Sequence, residues 1–198
     1  MKTLLTSILF LIIATTTLSQ EEATSRLMVA DSSWGIEKFK VPTGFAQEMT
    51  YHGFEEAFFP KGWGTVDSPE FWSYIFTWSV AADAPITTTD FENNLALYFD
   101  GLLNISQKDT TVTKLPSTVL LVNTDNGKTS SNFVGKLRIF DRFRTNKMIT
   151  LNVLVEQQYC EKEKRSISVF RFSPKALEHE VWTKLKSVTL REEVCQIN

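Results

Sequence analysis

Trp72-Ser73-Tyr74-Ile75-Phe76-Thr77-Trp78-Ser79-Val80 alternates large apolar side chains with mostly small polar ones. In an extended chain Trp72, Tyr74, Phe76, Trp78 and Val80 share one face, and Ser73, Ile75, Thr77 and Ser79 share the other. Helical spacing would scatter the rings around the axis, so the stretch reads as a strand. Its aromatic face asks for a cover, which places it at the centre of a sheet and under a helix. That helix follows directly. Thr89 with Glu92 three residues later makes a capping-box pattern, and Phe91, Leu95, Tyr98, Phe99, Leu102 and Leu103 recur at helical spacing.

Working outward, Trp34 to Val41 alternates loosely and stops at Pro42 and Gly44, and Gly53 to Phe59 gives a second strand ending at Pro60, Lys61 and Gly62. After Pro116 come Thr118 to Val122, a turn at Asp125, Asn126 and Gly127, then Phe133 to Phe140, Met148 to Tyr159 and Ser166 to Phe172. Within Met148 to Tyr159, Ile149, Leu151, Val153 and Val155 share a face opposite Thr150, Asn152 and Glu156, so one buried side suffices. The run reads as an antiparallel meander. Ser173 as N-cap and Pro174 at the first helical position predict a closing helix through Leu177, Val181, Leu185 and Val188, with Trp182 bordering the stripe. The fold class is α+β: an antiparallel sheet of about six to seven strands with two main helices.

The chain opens with Lys2 and an almost wholly apolar run from Leu4 to Ala14, followed by Thr15 to Ser19. A positive start, a short apolar run and a small-residue exit describe a signal peptide over residues 1–19, cut between Ser19 and Gln20. The run is shorter than the roughly 20 apolar residues that span a bilayer. No second long apolar run follows, so the mature chain is expected to lack a transmembrane segment and to be periplasmic or secreted. Residues 20–33 are polar and small and read as a flexible leader before a single domain over 34–198.

The 21 basic and 23 acidic side chains become 20 against 23 once Lys2 leaves, a formal charge of −3. That balance excludes a nucleic-acid binder, which shows clustered Lys and Arg on a basic domain. Glu161 to Arg165 alternates acid and base and reads as a solvated hairpin tip. Cys160 and Cys195 are the two cysteines, and in an oxidising compartment they are expected to pair. Neither belongs to a close pair, and His52 and His179 lie far apart, so no metal site is expected.

The order of three strands, a helix, four strands and a final helix resembles the PsbP-like fold, an α/β/α sandwich that includes small exported bacterial proteins of unknown function. The resemblance spans about Trp34 to Leu190. It rests on that order, on the Val41, Pro42 and Gly44 turn, and on the Trp182-x-x-Leu185 pattern of the last helix. It implies binding or assembly rather than catalysis, and it transfers no functional residue.

His52, Glu55, Glu56, Trp63, Asp67 and Glu70 gather acid, base and aromatic groups near Gly and Pro turns. Paired carboxylates with separated pKa values, aided by a histidine, can share general-acid and general-base work. Glu55 and Glu56 are adjacent and face opposite ways, so such a pair needs Asp67 or Glu70; the alternative is a solvated strand edge. Trp63 between Gly62 and Gly64 is either a plug on the core or an exposed anchor. Arg138, Arg142 and Arg144, interleaved with Phe140 and Phe143, either hold an anionic ligand or simply face solvent. There is no Gly-x-Ser-x-Gly elbow, no phosphate-binding loop and no dinucleotide fingerprint, so no cofactor is expected. The leading expectation is a non-enzymatic envelope module binding a small ligand or an envelope protein through His52, Glu55, Trp63, Asp67 and Glu70. The alternatives are a small exported hydrolase or lyase using these carboxylates, and a structural envelope protein.

Overall fold

The computed structural model describes residues 27–104 and 115–196. The expected signal peptide, residues 1–19, and most of the expected leader lie outside those residues. Seven strands form one antiparallel sheet: β2 (Gly35–Val41), β3 (Gly53–Phe59), β4 (Tyr74–Ala81), β5 (Thr118–Asn126), β6 (Ser130–Asp141), β7 (Lys147–Cys160) and β8 (Arg165–Ser173), after a two-residue β1 (Met28–Val29). Across the sheet the order is β2-β3-β4-β8-β7-β6-β5. The expected α+β class and strand count hold, with one correction of position: β8 is the middle strand and β4 stands beside it. Both are buried on both faces, so Ser73, Thr77 and Ser79 lie inside the protein. The Ser73 and Ser173 hydroxyls meet there at 2.8 Å.

One face of the sheet is covered by helix α1 (Thr88–Leu102), which buries Phe91, Leu95, Tyr98 and Phe99 over Phe76, Trp78, Phe170 and Phe172. Burial of each Phe or Leu side chain contributes roughly 2 kcal/mol. The cap lies earlier than the sequence pattern indicates. In the run Thr87-Thr88-Thr89 it is Thr87 whose side chain accepts from the Asp90 N–H at 3.2 Å. Glu92 instead accepts from the Leu121 N–H at 2.8 Å, tying α1 to β5.

The other face carries a thinner layer. Helix α2 spans only Val181–Lys186, and Val181, Trp182 and Leu185 pack on Phe58, Ile75, Ile167 and Val169. The helix expected from Pro174 is therefore corrected to six residues, and Leu177 is 40% exposed. Side chains take the backbone groups that a longer helix would use: Ser173 Oγ accepts from the Lys175 N–H, while Asn152 and Trp182 both donate to the Lys175 carbonyl. Arg171, buried in β8, donates to the carbonyls of Leu185 and Val188 and closes the C-terminal end of α2.

The leader assignment is corrected at its end. Leu27 and Met28 are fully buried, β1 pairs antiparallel with β9 (Thr189–Leu190), and the Leu27 N–H donates to Glu56 at 3.2 Å. The ordered domain thus begins before Trp34. Cys160 and Cys195 are disulfide-bonded, their Cα atoms 5.4 Å apart, which joins the end of β7 to the C-terminal segment. Among the described residues no helix is long and apolar enough to cross a membrane.

Candidate functional site

Helix α1 lies nearest β5 and β6, so it leaves the β2 side of its own sheet face uncovered. Aromatic residues from three separate connections close around that gap. The floor is Ala57, Phe59 and Tyr74, with Glu37 and Phe39 of the edge strand β2 beside them. Tyr98 and Leu102 of α1 form one wall. Gly101 lets the loop after β2 come close, since a Cβ there would stand 2.0 Å from the Phe45 carbonyl oxygen, and Phe45 packs edge-on to Tyr98 at 5.1 Å.

The second wall is built by the segment from Pro60 to Ser73. Successive turns fold it back until the Trp72 N–H donates to the Trp63 carbonyl at 2.8 Å. Trp63 packs on Phe59 at 4.6 Å between ring centroids, and Trp72 stands 6.2 Å from Tyr74. Trp72 holds a φ of 51°, a left-handed conformation uncommon for a bulky residue and a form of strain that concentrates at functional sites. Glu70 secures the segment: its carboxylate accepts from Lys184 Nζ at 2.9 Å and from Ser68 Oγ at 2.7 Å, and these bonds hold its pKa below the ordinary value.

Phe143 completes the wall from the β6–β7 turn. Asp141 shapes that turn by accepting from the N–H groups of Phe143, Arg144 and Thr145, so that Phe143, 48% exposed, stacks on Trp72 at 6.3 Å. The cup has a volume of about 210 Å³. A mouth of about 320 Å³ adjoins it across Trp63, Trp72 and Phe143 and is lined also by Gly64 and Arg144.

Two polar features mark the cup. Tyr74 is buried and its phenol oxygen has no hydrogen-bond partner, which in a folded protein calls for an explanation. Beneath Tyr98, Glu55 is fully buried and accepts from Tyr98 OH and Trp78 Nε1, both at 2.8 Å. Burial pushes its carboxyl up to about 7 against the pull of those two bonds, and the nearby Glu37 charge adds to the rise. Burial and the Glu55 charge likewise raise the Tyr74 and Tyr98 phenols well above the usual tyrosine range.

The residues singled out in the sequence do not converge. His52 is exposed at the start of β3, whereas Trp63 follows its end, a strand of roughly 20 Å away. Asp67 is exposed, and Glu70 is turned to Lys184. The solvated-edge reading of Glu55 and Glu56 is corrected: β2 forms the edge, β3 is interior, and both carboxyls are buried on opposite faces, Glu56 accepting from Leu27 and pairing with Lys38 at 3.6 Å. Trp63 is half-buried, part plug and part wall. Arg138, Arg142 and Arg144 are exposed, and Arg144 lines the mouth of the cup. Among the described residues no cluster of three or more His, Cys, Asp or Glu side chains is arranged to hold a metal ion.

Sequence reading missed Glu37, Phe39, Phe45, Tyr98 and Phe143 as parts of one site. The available signal was the number of rings in or next to irregular segments, at positions 45, 63, 72 and 143, which one sheet face cannot absorb. Comparisons with protein-family models, with curated proteins and with solved structures return no match to this chain.

Proposed function

We propose that the protein is an exported, non-enzymatic binding module that holds a small, mainly apolar ligand in the aromatic cup between α1 and the β2 edge. The observation that carries this reading is the buried, unpartnered Tyr74 phenol on the floor of an otherwise aromatic cavity. Pre-formed, mainly apolar pockets with a few placed polar groups are where small molecules bind. The catalytic alternative needs facing carboxylates, and His52, Asp67 and Glu70 stand apart from Glu55, whose two oxygens are each engaged by a donor.

Export is part of the same proposal. The leader pattern at Lys2 to Ser19 and the disulfide, a bond that persists in oxidising compartments, support it. We also propose the PsbP-like sandwich as the architectural class; the helix-sheet-helix layering and the buried Trp182 and Leu185 support it.

The test is a thermal-shift screen with small aromatic and aliphatic compounds, read alongside tryptophan fluorescence. A ligand that binds only the native state raises the melting temperature. Hits are expected to alter the emission of Trp63 and Trp72 and to weaken on Trp63→Ala, while Tyr74→Phe keeps the fold and weakens hits that carry a polar group. Hits indifferent to Trp63→Ala, or no hit at all, would refute the cup as the site.

A further inference from the structure

Resting on the cup as the binding site, we infer that its ligand is a small organic cation, a protonated amine carried on an apolar body. Among the described residues Glu37 is the charged side chain that lines the cup, and it has neither ion pair nor hydrogen bond there. Strand alternation sends its neighbour Lys38 to the opposite face, where it pairs with Glu56, so that cation cannot neutralise Glu37. On the same face as Glu37, one row along β3, stands the buried Glu55. Arg144 lines the outer mouth beyond the wall of Trp63, Trp72 and Phe143, and Lys61 lines a separate groove on the β2 edge that Glu37 also borders. The cup therefore combines electron-rich ring faces with one lining carboxylate and no lining cation.

That combination discriminates by charge. A cation over the face of Trp, Tyr or Phe is attracted by the ring quadrupole, and more strongly where water is excluded. A protonated amine also brings N–H donors for the Glu37 carboxylate at the rim of the cup. An anion would meet the Glu37 carboxylate and no lining cation. A neutral molecule would leave the Glu37 charge unmatched.

The experiment compares three probes of nearly the same shape, phenethylamine, phenethyl alcohol and phenylacetate, by calorimetric titration of the full chain near neutral pH. The amine is expected to bind about tenfold more tightly than the alcohol, and phenylacetate more weakly than either. Glu37→Gln, on an exposed rim, is expected to erase the preference for the amine while leaving the alcohol within about twofold, with an unchanged melting temperature certifying the fold. Equal binding of all three, or a preference for the amine that survives Glu37→Gln, overturns the cation assignment and leaves the cup reading standing. Binding of none, or binding indifferent to Trp63→Ala, overturns both.

Discussion

Glu55→Gln is expected to remove a fall in stability that the wild-type protein undergoes as pH rises from about 4.5 to about 7. The carboxyl sits at its ordinary value in the unfolded chain and near 7 in the fold, because burial disfavours the charged form. Between those two values the native state holds the proton and the unfolded state has released it. Unfolding free energy therefore declines with rising pH through that window and levels off above it. The separation corresponds to about 3 kcal/mol, undiscounted because Glu55 is wholly enclosed. Glutamine reproduces the neutral form: its amide oxygen accepts from Trp78 Nε1, and its N–H donates to the Tyr98 oxygen. Urea unfolding of both proteins across about pH 4 to 8 isolates the Glu55 contribution in their difference, since the remaining acids and both histidines are common to the two. The variant gains relative to wild type as pH rises. Parallel curves across the interval would refute the account of Glu55 as a carboxyl kept neutral by burial.

Two further perturbations probe the packing. Replacing Cys160 and Cys195 with serine is expected to lower stability by about 4 kcal/mol, the chain-entropy value for a loop of 35 residues, and a loss under about 1 kcal/mol in urea midpoints would contradict it. Gly101→Ala near the end of α1 is expected to cost about 2 kcal/mol, because the new Cβ would stand 2.0 Å from the Phe45 carbonyl oxygen, whereas helix propensity alone predicts a gain of up to about 1 kcal/mol. The sign of the change in melting temperature decides between packing and propensity.

Much of the sheet was legible because β4 and β7 carry a sustained period of two and the other strands are bounded by Gly and Pro turns. Gly53–Phe59 matches its expected bounds, and Trp78 and Leu151 lie on the predicted buried faces. The disulfide followed from the expectation of export for a chain with two cysteines. What escaped was set by contacts distant in sequence. No local pattern marks Met28 and Val29 as partners of Thr189 and Leu190. Pro174 and Leu177 carried the signs of a helix, but Asn152, Ser173 and Trp182 bind the backbone at Lys175 and hold that segment in turns. The site was half legible. Trp63 belongs to it and Glu55 lies beneath it, yet linear proximity grouped them with His52, at the end of β3 away from Trp63, and hid Phe45 and Phe143, which arrive from other turns.

The β1–β9 pair and the disulfide fasten Leu27 and Cys195 to the layer around α2, while the cup opens on the face of the sheet that carries α1. Both described ends of the domain thus leave from the side of the sheet opposite the cup. A tether, purification tag or fluorescent fusion added at either end would hold the molecule by its back and present the cup outward, so immobilised-protein sensors can be oriented without chemistry on the aromatic face. The same adjacency of ends makes a joined, circularly permuted chain a practical design, with new termini placed in the solvated tip at Glu161 to Lys164, where the β7–β8 hairpin turns in water.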